Sequence, residues 1–205
     1  MKSDIELVVE FRRGDSSAFQ RLVRRHHVPL FNFFYMLTGS ERVSEALAAR
    51  AFMRIYADRE KLGPDFNFAT YLYRAGINCW TDFRKMSAAS ASLTENSAAA
   101  GKAGEHEGET LSLPSRRRSE VMPSAASKDL LRILECLPAE LRLLLVLKEI
   151  SHFNYQEIGS MLELSAEGVR RRASGAYQVL RIKTGLAVSS GPVVPGAANP
   201  AEESA

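Results

Sequence analysis

The sequence predicts an all-α protein in which two small helical domains are joined by a flexible linker. Three observations predict it. Apolar residues recur at threes and fours, the helical period, through most of residues 1–86 and 128–185. Residues 87–127 change character to Ala, Ser, Gly and Glu, with GKAGEHEGE at the centre, a composition that buries too little apolar surface to fold. Between Tyr155 and Lys183 a short helix, a three-residue break and a longer basic helix follow one another. A chain of 205 residues, 45% hydrophobic and 25% charged, suits one large domain or two small ones, and the compositional break favours two. The expected divisions are 1–86, a linker at 87–127, 128–185, and a disordered tail at 186–205 that is rich in proline and poor in bulky side chains.

The first helix covers residues 4–13, with Ile5, Val8 and Val9 on one face and Phe11 at its edge, and Gly14 ends it. Asp15-Ser16-Ser17 caps the next, whose stripe is Ala18, Phe19, Leu22 and Val23, with Pro29 marking a kink or a fresh start. LFNFFYML at 30–37 is apolar nearly all round, which predicts the most buried helix of the first domain, its aromatic rings packing rather than forming a binding box. After Thr38-Gly39-Ser40, residues 43–57 carry stripes at Leu47, Ala51 and Ile55 and at Ala48, Phe52 and Tyr56. Gly63-Pro64 breaks the chain before a helix at 68–86 that interleaves Tyr71, Tyr73, Trp80 and Phe83 with Arg74, Arg84 and Lys85.

Composition excludes several classes. No stretch approaches the roughly 20 apolar residues that cross a bilayer, and the acidic opening MKSDIELVVE lacks a signal peptide's apolar core, so a cytoplasmic location is expected with no membrane insertion. Cys79 and Cys136 share no CxxC spacing and are expected as packed thiols. His26 and His27 point different ways on a helix without a third ligand in reach, so they are expected as surface histidines and no metal or other cofactor is expected. No pairing of nucleophile and base stands out, which predicts a protein that is not an enzyme.

Binding is the chemistry the residues offer. Residues 1–86 carry 14 basic against 10 acidic side chains and residues 128–185 carry 9 against 7, a mild excess suited to a polyanion. In the last helix Ser165 suits the N-cap, while Val169, Ala173, Ala176 and Leu180 form a buried stripe that leaves Arg170, Arg171 and Arg172 outside. A helix-turn-helix places such a second helix in the major groove. Gly159 fits the crossing of the two helices, whereas the turn holds Glu163 where glycine is favoured for positive φ. The duplex candidates are Arg170, Arg171 and Arg172, with Glu167 accepting from a cytosine amino group. In the 68–86 helix, aromatics among cations suit stacking on unpaired bases, with core packing the commoner use of such rings, and Trp80, Arg84 and Lys85 are the single-strand candidates.

Taken together, these segments resemble the extracytoplasmic-function sigma factors of bacterial RNA polymerase. DIELVVEFRRGDSSAFQRLVRRHHVPLF is similar to the family's opening, and FNFATYLYRAGINCWTDFRK to its promoter-melting, minus-ten-reading segment, through Phe68, Tyr71-Leu72-Tyr73-Arg74, Asn78, Asp82, Arg84 and Lys85. The second domain resembles the minus-thirty-five reader through Leu137-Pro138, Arg142, Glu149, Tyr155, Glu157-Ile158, Val169 and Arg172. The resemblance implies a sigma region-two-like bundle and a region-four-like helix-turn-helix, with core RNA polymerase and promoter DNA as partners and an anti-sigma factor as a further one. It also implies that Asn78 joins the single-strand candidates and that Glu45, Leu47, Arg50 and Phe52 lie on the polymerase-binding helix. There the family's acidic, glutamine-containing pattern is replaced at Ala46, Ala49 and Arg50, which predicts weaker docking on the polymerase. A sigma-like regulator that has lost polymerase binding is the second reading those three residues leave open.

Overall fold

The computed structural model describes residues 2–63, 67–95 and 125–184; residues 96–124 of the expected linker and the whole expected tail lie outside the described residues. Among the described residues the elements are helical, with no strand. Helix α1 spans Asp4–Arg12, α2 Ser16–Thr38, α3 Glu41–Ala57 and α4 Phe68–Glu95; α5 spans Ala125–Glu135, α6 Ala139–Leu145, α7 Tyr155–Leu162 and α8 Ala166–Thr184.

Local chemistry explains where these helices begin. Ser3 and Glu6 form a capping box on α1, satisfying amides that have no partner within the helix. The Asp15 carboxylate accepts from the amides of Ser17 and Ala18, Ser40 caps α3, and Asn67 accepts from the amide of Thr70 at the head of α4. Gly39 ends α2 in the left-handed conformation, at φ 67°, which frees the chain to turn at once into α3.

Three expectations are corrected here. The buried face of α1 is Leu7, Val8 and Phe11, while Ile5 is 55% exposed. That stripe continues upward to Asp4, which pairs with both Arg25 and His26 of α2 and so fixes the rotation of the helix. Helix α2 runs unbroken through Pro29, which is exposed. Helix α4 continues past Met86 as far as Glu95.

The first four helices pack around the second half of α2. From Leu30 to Leu37 every residue except Asn32 is buried, as its all-round apolar sequence predicts. Burying each of these phenylalanines contributes roughly 1.5–3 kcal/mol relative to leaving it in water. Part of that burial comes from the other half of the chain. Phe33 packs edge-on against Tyr73 of α4 at 5.0 Å, and Tyr73 in turn meets Phe153, in the loop before α7, at 4.7 Å. A Cβ on Gly39 would come within 3.3 Å of Leu131 on α5. The Arg142 guanidinium donates to the carbonyl of Leu37 at 3.1 Å and to those of Glu135 and Leu137. One continuous cluster of buried side chains thus spans both halves.

The second half folds around α6, a π-helical turn at Val146–Ile150, and the crossed pair α7 and α8. Residues Leu143 to Leu147 are buried, and Phe153 closes over them with its amide on the Leu147 carbonyl.

Candidate nucleic-acid interface

Helices α7 and α8 form the helix-turn-helix that the sequence predicts. Asn154 and Glu157 make a reciprocal capping box at the start of α7. Gly159 stands at the crossing: a Cβ there would lie 2.6 Å from the backbone oxygen of Leu164, closer than atoms tolerate. Glu163 ends α7 at φ 57° and ψ 42°, the left-handed turn for which glycine is the usual residue. Ser165 then accepts from the amide of Gly168 at 3.1 Å and starts α8. A side chain on Gly168 would crowd that hydroxyl, which accounts for one glycine inside the helix; at Gly175 nothing lies within 4 Å, and its place there has no packing explanation.

Val169, Ala173, Ala176 and Leu180 are buried, and Arg170, Arg171 and Arg172 are exposed together with Glu167. The three arginines therefore form an open cationic edge at the start of α8. Arg170 is not free to wander, since its guanidinium lies 5.8 Å from the ring of Tyr155 and 3.6 Å from the Glu167 carboxylate. Lys148 approaches the same ring at 5.4 Å. Lys148 was not among the candidates read from sequence, and the π-helical turn that brings it to Tyr155 has no period that would reveal it. Below this edge the Tyr177 hydroxyl donates to the Glu149 carboxylate, and burial together with that carboxylate pushes the phenol well above its usual range.

On α4 the single-strand candidates divide between two faces. Arg74, Asn78, Asp82 and Lys85 recur at helical spacing along an exposed stripe, and Arg84 is exposed beside it. Trp80 is 4% exposed, on the buried stripe with Leu72 and Ile77, so its ring packs in the core rather than standing open to a base. Arg84 covers it, with its guanidinium 4.9 Å from the ring centre. Burial also pushes the Cys79 thiol up, against the pull of Arg50 and Arg54, so it is a packed thiol as expected, whereas Cys136 is exposed.

Helix α3 likewise separates its candidates. Leu47 and Phe52, at 2% exposure each, are core residues that hold the helix, while Ala46 and Arg50 face outward. Glu45 is half-buried and lies 3.2 Å from His27. His26 and His27 are therefore half-buried and carboxylate-paired rather than loose on the surface, and His26 also packs on Phe68. Among the described residues no three His, Cys, Asp or Glu side chains gather as a metal site would need, and no helix is long and apolar enough to cross a membrane.

Residues 127–180 match the family model described as sigma-70, region 4, a span that contains the helix-turn-helix. Over most of its length the chain is similar to the RNA polymerase sigma-H factor of Pseudomonas aeruginosa, 24% identical and covering 87% of this chain and 92% of that protein. It is similar to the ECF RNA polymerase sigma-E factor of Escherichia coli at 24% identity with the same coverage, and to the ECF RNA polymerase sigma factor SigW of Bacillus subtilis at 25%, covering 85% and 92%. In fold it resembles CnrH, solved in complex with the cytosolic domain of CnrY, with a TM-score of 0.65 at 20% identity over 90% of this chain and 98% of that one. It also resembles the sigma factor RpoE of Bartonella quintana, solved with the anti-sigma factor NepR, with a TM-score of 0.61 at 14% identity over 82% and 98%.

Proposed function

We propose that this chain, a member of the extracytoplasmic-function group of the sigma-70 family, directs promoter-specific transcription initiation by binding core RNA polymerase and the minus-ten and minus-thirty-five elements of promoter DNA. The observation that carries the reading is the coincidence of the region 4 match with a helix-turn-helix whose leading arginines are exposed. Sigma-factor relatives matched over both halves favour it over a regulator that has lost the polymerase.

On this reading residues 1–86 dock on the polymerase and hold the melted minus-ten strand, and residues 128–185 read the upstream duplex. Arg170, Arg171 and Arg172 contact the duplex and Glu167 a base edge; Asn78, Arg84 and Lys85 face the single strand, with Trp80 supporting Arg84 from beneath. Arg50 and Glu45 present the polymerase-facing surface on a helix anchored by Leu47 and Phe52. The work is binding, in the cytoplasm, without chemistry by the chain's own side chains, and an anti-sigma factor that covers these surfaces is its expected regulator. Run-off transcription with core polymerase from the same organism tests the proposal. Specific transcripts from a genomic promoter library are expected, and a folded protein that yields none overturns it.

A further inference from the structure

Glu163 occupies a backbone conformation that suits glycine, at φ 57°. Glycine would serve the turn between α7 and α8 with less strain. What it would lack is a carboxylate, and the Glu163 carboxylate accepts from the Arg74 guanidinium at 2.7 Å, across the junction of the two halves. Strain that persists in a fold points to a side chain that is used.

Arg74 heads the exposed stripe of α4 that continues through Asn78 to Lys85. A guanidinium there matches a phosphate as well as it matches a carboxylate, with paired donors for two oxygens. Both partners stand largely in water, Arg74 at 47% and Glu163 at 75% side-chain exposure, so the pair is screened and readily exchanged.

Geometry sets the two bonds in competition. Elements named for positions ten and thirty-five lie about 85 Å apart on straight duplex at roughly 3.4 Å per base pair. Halves joined by a 2.7 Å ion pair cannot occupy both. The 29 residues between Glu95 and Ala125 can span up to roughly 100 Å, so the chain can reach once that pair and the buried contacts of the junction, Tyr73 with Phe153 and Arg142 with Leu37, part together.

We propose that Arg74 is a phosphate-binding residue of the single-strand surface whose guanidinium Glu163 occupies in the closed chain, so that closure and single-strand DNA compete for one cation. This rests on the sigma-factor reading above. Linkage makes the effect reciprocal: single-stranded DNA favours opening, and opening favours single-stranded DNA.

The test is binding of the full chain to fluorescein-labelled oligothymidine, followed by anisotropy across a potassium chloride series. Glu163→Gly removes the carboxylate without straining the turn, and Glu163→Asn does so with a second residue that tolerates the left-handed conformation. Both are expected to bind about twofold to fivefold more tightly at low salt, the range that an exposed ion pair allows. Their salt slope should stay close to the parent's, because the same phosphate is engaged once Glu163 has been displaced. Adding Arg74→Gln should abolish the gain and flatten the slope by about 0.7, the increment for one phosphate on a single strand.

If the variants bind as the parent does, or if Arg74→Gln fails to reverse the gain, the inference is overturned while the sigma-factor reading stands. If neither parent nor variants bind oligothymidine, the inference falls together with the single-strand assignment of α4.

Discussion

The guanidinium of Arg142 donates to the carbonyl oxygen of Leu37, 3.1 Å away and 105 residues earlier in the chain. Leu37 lies in the last turn of α2, where carbonyls lack intrahelical partners, and the same guanidinium reaches the carbonyls of Glu135 and Leu137 at the end of α5. A single cation thus sits at the negative ends of two helices from different halves. Arg142→Met, close in length but without donors, is expected to lower stability to urea by about 2–3 kcal/mol. Arg142→Lys should recover only part of this, because one ammonium cannot reproduce the planar fork.

The contact between Gly159 and Leu164 leads to a second expectation. A methyl at Gly159 would meet a backbone oxygen at 2.6 Å, and backbone gives way less readily than a side chain. Gly159→Ala should cost about 2–3 kcal/mol by thermal unfolding. Gly175→Ala, where the space is open, should be neutral or slightly stabilising, since alanine is the better helix former.

Duplex binding should depend on the open edge of α8. Each phosphate contact contributes about 0.9 to the slope of log affinity against log salt. Replacing Arg170, Arg171 and Arg172 by Gln is expected to flatten that slope by roughly 2–3 on a nonspecific duplex, read by anisotropy. Tyr155→Leu should reproduce part of the loss by releasing Arg170, and Tyr155→Phe, which keeps the ring, should not.

The outer face of α3 offers a gain rather than a loss. Ala46 and Arg50 are exposed, so changing them disturbs little packing. Ala46→Asp with Arg50→Glu is expected to increase retention of purified core polymerase in a pull-down. Failure of both the parent and the double variant to retain it would favour the regulator over the sigma factor.

Alkaline stability follows from Tyr177. Its phenol holds its proton above the ordinary value of 10.0, because burial and the Glu149 carboxylate disfavour the phenolate. The unfolded chain releases that proton near 10, whereas the folded chain keeps it, so the stabilisation is complete below that pH and is lost as pH rises beyond it. Tyr177→Phe should show a shallower loss of denaturation midpoint than the parent as pH is raised through and above 10.

Helical periodicity made the helices and most of their faces legible, because each stripe from Ala18 to Val23 and from Val169 to Leu180 answers to a local rule. Composition pointed Trp80 outward, since an aromatic among arginines suggests stacking until Ile77 and Leu72, three and eight positions earlier on the same face, are seen to be core. The departures in the helix-turn-helix were visible as residues but not as contacts. Glu163 could be read as a misfit, yet its partner lies 89 positions earlier, and no local period connects them. The junction of the halves was likewise hidden: the almost wholly apolar run at Leu30 to Leu37 signalled burial nearly all round without saying that part of the cover comes from beyond the linker.

The edge-on meeting of Tyr73 and Phe153 bears on how the protein must be handled. Cut in two for convenience, each fragment would present bare aromatic rings to water where its other half used to be. Such pieces should stick to themselves or to one another, and remixing them should rebuild the junction without any covalent tie.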